Sequence, residues 1–222
     1  MTSESAESRV RLYLEEKKKV LDAFPVGEVV RFVDMVWDAY RGGRTIYACG
    51  NGGNAAYVAN FVTDLANHPF VSDDKGTAML EGVLRLRAMD LCASGASLTG
   101  IMNDLGTQYI FAQQLINDRV GRGDVIVGIT GSGNSKNVLE AFEVGKKYGA
   151  KTVAWCRGSG GKAKELADLC IIIPGTSRFP GQVGGNDNNF HFEDSTSAIA
   201  HMVTGIMRER IWETYGNGNK RS

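Results

Sequence analysis

The stretch that decides the fold is Val125-Ile126-Val127-Gly128-Ile129-Thr130-Gly131-Ser132-Gly133-Asn134-Ser135. Its first half is apolar and rich in β-branched residues, which predicts a buried strand. Its second half holds only glycine and small polar residues. Apolar residues at helical spacing follow, with Ser135 in position to cap that helix. Amides at a helix N-terminus point at a ligand and the helix dipole favours negative charge, so this junction predicts an anion site.

We name residues 130–135 the anion loop. Its hydroxyl groups add side-chain donors, and the binding residues we expect are Thr130, Gly131, Ser132 and Ser135. No Gly-Lys-Ser/Thr run follows the glycines, so the loop is not a nucleotide P-loop. The alternative is a tight strand–helix turn with a capping serine and no ligand.

A second strand–glycine–helix unit comes earlier in the chain. Residues 44–49 predict a strand, a glycine-rich run follows, and residues 55–67 predict a helix capped by Asn54. Glycines allow a ligand to approach the backbone closely, so Asn51, Gly52, Gly53 and Asn54 are further candidates for ligand binding. On the helix, Asn60 and Asp64 lie four residues apart and share a face. The alternative interpretation of Asp64 is a solvated surface carboxylate.

Five predicted strands alternate with helices along the chain. The strands are residues 44–49, 84–92, 125–129, 151–156 and 169–173, and the later helices include 108–120 and about 192–215. Such alternation predicts an α/β fold, a three-layer α-β-α sandwich with a five-stranded parallel sheet. We expect residues 1–43 to form extra N-terminal helices for packing or oligomerisation, residues 44–216 the main domain, and 217–222 a tail. All belong to one structural unit.

Composition excludes several classes of function. The 222 residues carry a formal net charge of zero, which gives no electrostatic reason to expect a nucleic-acid partner. No apolar run reaches the roughly 18 residues that a membrane span requires. The four cysteines stand far apart without a Cys-x-x-Cys pair, which favours free thiols in a reducing compartment. We therefore expect a cytoplasmic protein with no membrane or nucleic-acid partner.

Two irregular regions carry further expectations. Asn103-Asp104-Leu105-Gly106 is a turn signal, and its polar pair, Asn103 and Asp104, is a candidate to face a ligand. Residues 175–189 are rich in glycine, proline and asparagine, and a loop of that length is typically either a ligand loop or disordered. Residues 68–83 show no chemistry, and His68 is expected at the surface.

Several motifs, in order and at comparable spacing across residues 10–215, carry a resemblance. They are Cys49-Gly50-Asn51-Gly52-Gly53-Asn54, Met102-Asn103-Asp104-Leu105-Gly106, Gly128-Ile129-Thr130-Gly131-Ser132-Gly133-Asn134-Ser135, and Ser159-Gly160-Gly161-Lys162 with Leu166-Ala167-Asp168. Together they resemble the motifs of the sugar isomerase (SIS) family, and within it the bacterial phosphoheptose isomerases. The resemblance implies the SIS fold and an aldose–ketose isomerase acting on a sugar phosphate.

The resemblance also implies roles for individual residues. In that family a glutamate on the helix after the first glycine loop and a histidine on the last helix perform acid–base chemistry, and these fall on Asp64 and His201. The family's glutamine falls on Glu193 and its additional histidine ligand on Asn60. Members of the family can hold a zinc ion, for which Asp64, Glu193 and His201 are the candidates here.

The implied reaction converts sedoheptulose 7-phosphate to D-glycero-D-manno-heptose 7-phosphate through an enediol, for surface polysaccharide or related heptose synthesis. Asp64 is the expected base and His201 the partner acid–base, while Glu193 holds sugar hydroxyls, orients His201 or binds metal. Two alternatives stay open. One is an isomerase of another sugar phosphate, and the other is a non-catalytic SIS module that binds a protein partner, such as a replication initiator.

The expected assembly is a homotetramer with sites at subunit interfaces, which the resemblance implies. Helix geometry agrees, because Glu193 and His201 are eight residues apart, or about 12 Å along a helix axis. A single chain would therefore struggle to bring both to one reacting carbon or one metal. We expect each site to combine Asp64 and the anion loop with a residue from a neighbouring last helix.

Overall fold

The structure is a computed structural model that describes residues 5–71 and 82–216. Its strands are β1 Thr45–Gly50, β2 Arg87–Asp90, β3 Val125–Ile129, β4 Lys151–Arg157 and β5 Leu169–Ile173. They form one parallel sheet in the order β2-β1-β3-β4-β5. The expected five-stranded parallel sheet is thus confirmed. The strand order reverses between β1 and β3, and parallel sheets bind ligands outside the carboxyl ends of their strands at such a point.

The helices of the described residues lie before, between and after these strands. They are α1 Ala6–Asp22, α2 Val26–Arg41, α3 Gly53–Asn67, α4 Gly95–Asp104, α5 Ala112–Asn117, α6 Lys136–Tyr148, α7 Gly161–Leu166 and α8 Asn189–Tyr215. Within the described ranges, no helix is both long enough and apolar enough to cross a membrane.

Side chains of the sheet divide between two cores, one on each face. In β1, Ile46 and Ala48 join a core with α2, α3 and α8, whereas Tyr47 and Cys49 join a second core with α5 and α6. Successive side chains of a strand point to opposite faces, so a strand buried on both sides reads as one apolar run. This arrangement confirms the three-layer sandwich.

The N-terminal helices share the first of these cores. Val20 of α1 and Phe32, Val33 and Val36 of α2 are buried in it together with side chains of the sheet. The helices are therefore packed onto the main domain. Their role in oligomerisation stays a prediction, and the predicted tail, 217–222, lies outside the described residues.

The region between β2 and β3 differs from the expected helix over residues 108–120. The chain instead forms α4, a short 3₁₀ turn at Thr107–Tyr109, and the six-residue α5. Ser94 caps α4 by accepting a hydrogen bond from the Ser97 amide at 3.1 Å. The helix was not predicted, because its first residues are small and resemble a loop. Gly106, with a φ of 109°, then turns the chain between the two helices.

Residues 175–188, which we name the long segment, form an ordered loop. The Ser177 amide donates to the Asp187 carboxylate at 2.7 Å, and the Asn188 side chain donates to the Pro174 carbonyl at 2.8 Å. The buried Gln182 accepts a hydrogen bond from the Phe190 amide at 2.6 Å. Such bonds close the two ends of the loop on each other, as in a compact surface loop. Of the earlier region without predicted chemistry, residues 72–81 lie outside the described residues.

Candidate active site

The anion loop leaves β3 and enters α6 with open amides. Thr130 is buried, and its hydroxyl donates to Ser135 Oγ at 3.0 Å. The amides of Gly131, Ser132 and Ser135 donate to no acceptor in the part of the chain that the structure describes. Ser135 is the N-cap residue as expected, although its hydroxyl accepts from Thr130 and not from a helix amide. Open amides at a helix N-terminus suit an anionic ligand.

Close backbone packing holds this loop in place. A Cβ atom on Gly133, whose φ is 69°, would lie 1.9 Å from the carbonyl oxygen of Gly160. The Gly133 carbonyl in turn accepts a hydrogen bond from the Ala163 amide at 2.9 Å. Glycine is thus required here for both its conformation and its size, and contacts within the chain fix the position of the loop.

The first glycine loop, residues 50–53, lies across the switch point from the anion loop. The side-chain amides of Asn51 and Asn137 exchange two hydrogen bonds, at 2.9 and 2.8 Å, and so tie this loop to α6. One expectation was wrong. Asn54 is the second residue of α3 and not its cap, because Gly52, with a φ of 57°, turns the chain into the helix earlier. Asn54 Oδ1 is instead buried without a hydrogen-bond partner among the described residues.

Glu193 belongs to the neighbourhood of the first glycine loop. Its Oε1 atom lies 3.2 Å from the position that a Cβ on Gly53 would take, and it accepts a hydrogen bond from Asn189 Nδ2 at 2.9 Å. A carboxylate at the N-terminus of α3 is favoured by the helix dipole. Since Glu193 already places a negative charge at the N-terminus of α3, the N-terminus of α6 is the better place for an anionic ligand.

The Asp64 carboxylate lies between two imidazoles on the surface of α3 and α8. His201 Nε2 is 3.7 Å from Asp64 Oδ2, and His68 Nε2 is 3.7 Å from Asp64 Oδ1. Asn60 donates to the same carboxylate at 3.0 Å. The side chains of His201 and His68 are 62% and 57% exposed, whereas that of Asp64 is 17% exposed. We name Asp64, His68 and His201 the acid–base cluster.

Within one chain the acid–base cluster stands apart from the anion loop. Asp64 comes eleven residues after Gly53, which is about 16 Å along the axis of α3. We expected a residue of a neighbouring last helix to join Asp64 and the anion loop. His201 meets Asp64 within the same chain, because α8 packs along α3. Within one chain, the two groups of candidate site residues are therefore separate.

The three candidate zinc ligands do not converge within one chain. Glu193 lies at the first glycine loop, about 12 Å along α8 from His201. Across residues 5–71 and 82–216, no group of three His, Cys, Asp or Glu side chains is arranged to hold a metal ion. The residues of a single chain therefore do not fit a zinc ion. Zinc stays a prediction, and its ligands would have to come from two chains.

Asn103 and Asp104 end α4 instead of forming a separate turn. Asn103 Nδ2 donates to Asp104 Oδ1 at 2.8 Å, and Asp104 lines a groove of about 560 Å³ together with residues of α5. Among the described residues, no hydrogen bond joins this pair to the first glycine loop or to the anion loop. Their role in ligand binding stays a prediction.

Comparison with known proteins assigns the chain to a family. Residues 13–156 match the SIS domain. The chain belongs to the SIS domain family. A probable phosphoheptose isomerase of Thermoplasma acidophilum is 34% identical over 199 residues, covering 90% of this chain and 97% of that protein. A phosphoheptose isomerase of Akkermansia muciniphila is 28% identical over 187 residues, covering 84% of this chain and 87% of that protein.

A solved structure shares the SIS fold. The phosphoheptose isomerase of Neisseria gonorrhoeae superposes with a TM-score of 0.76 at 22% identity, covering 92% of this chain and 100% of that one. At that identity the likeness supports the fold alone. The predicted resemblance and fold are both confirmed.

Two residues near the candidate site, His68 and Arg157, were not predicted from the sequence to take part in it. His68 lies four residues after Asp64, a spacing that puts both on one helix face. Because Pro69 follows it, His68 was expected at the surface after the end of the helix, with no role in the site. Arg157 ends β4, and its guanidinium contacts the long segment beside the anion loop. Nothing in the local sequence pattern indicates where such a long side chain points.

Proposed function

We propose that this protein interconverts a ketose phosphate and an aldose phosphate, and that the pair is sedoheptulose 7-phosphate and D-glycero-D-manno-heptose 7-phosphate. The product would serve surface polysaccharide or related heptose synthesis in the cytoplasm. Support for the class of enzyme comes from relatives that are named phosphoheptose isomerases and align with this chain over most of their length.

One observation carries the proposal, which is the Asp64 carboxylate held between His201 and His68. A module that only binds a sugar phosphate needs the anion loop but no paired carboxylate and imidazole. Proton transfer between neighbouring carbons needs a base over the C–H bond and an acid at the carbonyl oxygen. The pair offers both groups at a partly exposed surface, where substrate can reach them.

The reaction we infer moves one proton between C2 and C1. Asp64 takes the proton from C2 of the aldose while the imidazolium of His201 donates a proton to the carbonyl oxygen O1, giving the 1,2-enediol. The proton on Asp64 then goes to C1, and His201 takes the proton of the C2 hydroxyl as the C2 carbonyl forms. Both residues return to their starting protonation states.

The remote phosphate positions the reacting carbons for this chemistry. Its proposed anchor is the set of open amides of Gly131, Ser132 and Ser135, with the hydroxyl of Ser132 as a further donor. Glu193, at the first glycine loop, is the proposed partner of the sugar hydroxyls. Because anchor and acid–base cluster lie far apart in one chain, we propose that the cluster of one subunit completes the anion loop of another.

A substrate panel tests this function. Purified protein is incubated with ketose and aldose phosphates of five to seven carbons, and products are separated by chromatography. The heptose pair should turn over with the highest kcat/KM, and Asp64→Asn should remove most of that turnover. Preferred turnover of a shorter sugar phosphate would replace the proposed substrate. A complete lack of turnover, with phosphosugar binding retained, would favour the non-catalytic binding module.

A further inference from the structure

Arg157 is a partly buried cation whose side-chain hydrogen bonds all go to neutral acceptors. Its Nη1 and Nη2 atoms donate to the carbonyls of Asp187 and Gly185, each at 2.5 Å, and its Nε donates to Asn189 Oδ1 at 3.3 Å. Across the described residues no ion pair includes it. Burial lowers the pKa of the guanidinium, while Asp187 and Glu193 oppose that shift. A guanidinium keeps its proton in proteins, so a positive charge stays at this place.

This charge lies directly against the anion loop. A Cβ atom on Gly131 would be 3.1 Å from Arg157 Nε, and the Arg157 amide donates to the Gly131 carbonyl at 3.0 Å. Within residues 5–71 and 82–216, the neighbouring amides of Gly131 and Ser132 have no hydrogen-bond acceptor. A cation that is shielded from water interacts more strongly with a nearby anion than an exposed one does.

The same guanidinium also reaches the first glycine loop through two side chains. Asn189 accepts from Arg157 with its Oδ1 atom and donates with its Nδ2 atom to Glu193 Oε1 at 2.9 Å. Glu193 in turn contacts Gly53. A planar fork that binds two carbonyls and one amide oxygen fixes geometry in a way that a lysine ammonium does not.

We propose that Arg157 is a positioning residue that builds the phosphate end of the site. It attaches the long segment to the anion loop and holds a positive charge beside the open amides, so that a phosphate dianion is bound between them. The proposal deepens the proposed function and rests on it in assuming a phosphorylated substrate. Because Arg157 holds the long segment beside the phosphate end of the site, it would also help to determine which sugar phosphates fit.

Two substitutions and one matched control test this role. Arg157→Gln removes both the charge and the fork, and Arg157→Lys keeps the charge. Lys162→Gln removes an exposed charge from the first turn of the adjoining α7. Inorganic phosphate is titrated into each folded protein by calorimetry, and kcat and KM are measured with the preferred sugar phosphate. Hydrogen exchange of the amides of residues 184–189 reports the order of the long segment.

We expect Arg157→Gln to weaken phosphate binding and raise KM by about 10- to 100-fold, with a smaller change in kcat. Arg157→Lys should recover part of the phosphate affinity but leave exchange in residues 184–189 faster than in the native protein. Lys162→Gln should stay within about twofold of the native values.

Several results would overturn the proposal. They are native phosphate affinity in Arg157→Gln, an equal loss in Lys162→Gln, and no phosphate binding by the native protein. If Arg157→Gln does not fold, the Arg157→Lys variant decides. Native phosphate affinity together with native hydrogen exchange of residues 184–189 in that variant would also overturn the proposal. Phosphate titration needs no turnover, so a protein that binds phosphate through Arg157 yet isomerises nothing would refute the proposed function alone.

Discussion

At the scale of single residues, the acid–base cluster makes the clearest prediction. Asp64→Asn and His201→Ala should each lower kcat by roughly 10²–10⁴-fold with little change in KM, because the phosphate anchor lies elsewhere. His68→Asn should cause a smaller loss, since His201 keeps its contact with the carboxylate. Steady-state kinetics with the preferred sugar phosphate provide the measurement. Full activity in His201→Ala would remove that residue from the mechanism.

The anion loop predicts the opposite kinetic pattern. Ser132→Ala should weaken substrate binding by about 1–3 kcal/mol, seen as a higher KM, while kcat changes less. Ser159→Ala provides the control, because its exposed hydroxyl lies on the neighbouring β4–α7 loop. A rise in KM of the same size in both variants would show that the loss is not specific to the anion loop.

At the scale of elements, the long segment is attached to α1 through one buried carboxylate. Glu16 accepts hydrogen bonds from the Ser177 hydroxyl at 2.6 Å and the Arg178 amide at 2.8 Å, and it lies 3.3 Å from His191 Nε2. Burial alone would raise the pKa of Glu16, but these partners together leave it below its usual value of 4.5. The bonds therefore stabilise the folded state most when the carboxylate is ionised.

This attachment predicts a dependence of stability on pH. A folded-state pKa below the unfolded value adds stability above about pH 4.5, and this stability is lost as the pH falls through the folded-state pKa. Urea unfolding from about pH 6 to pH 3 should show a smaller loss of unfolding free energy in Glu16→Gln than in the native protein. The exposed Glu15→Gln is the control. Equal slopes in both variants would contradict the assignment.

The sequence was informative where the structure depends on neighbours in the chain. The apolar run of β3 and the small residues after it predicted strand, loop and helix, since each follows from local periodicity and from the needs of a tight turn. The short α4 was missed because Ser94 and the small residues after it resemble a loop. The sequence left open whether the long segment is ordered, because Glu16 and Arg157 hold it from distant parts of the chain.

The candidate site was predicted less evenly. The roles of Asp64 and His201 were predicted only from the family resemblance. The two residues are far apart in the sequence, and the packing of α8 along α3 brings them together. Local patterns cannot show that contact, and helix geometry alone favoured a last-helix residue from a second chain. His68 and Arg157 became visible only when the directions of their side chains were known.

At the scale of the whole molecule, the N-terminal helices present an apolar surface. Val10, Leu14 and Leu21 of α1 are each more than half exposed, and Val26 of α2 is 65% exposed. Large apolar side chains that are exposed together are typical of an interaction site, and their position on these helices is compatible with the predicted homotetramer. Leu14→Glu with Leu21→Glu should dissociate the assembly in sedimentation velocity without unfolding the chain. An active native monomer at assay concentration would contradict the tetramer.

Mixed oligomers test whether two chains build each site. Co-expression of a Ser132→Glu chain with an Asp64→Asn chain should restore part of the activity, because one type of interface then joins an intact anion loop to an intact acid–base cluster. Asp64→Asn with His201→Ala should restore none, since both residues belong to the same cluster. Equal recovery in the two mixtures would show that the site residues are divided differently.

The most direct test of the central claim, that this protein is a sugar-phosphate isomerase using Asp64 and His201, is the reaction in deuterated water. The ketose phosphate that the protein prefers is incubated to partial conversion, and the aldose product is examined by proton NMR. Asp64 is partly exposed, so the proton that it takes up exchanges with water before a proton is returned to carbon. The account therefore predicts solvent deuterium at C2 of the aldose, with incorporation abolished in Asp64→Asn. Product that forms at the native rate with no deuterium at C2 would contradict proton transfer through an Asp64 carboxyl in exchange with water.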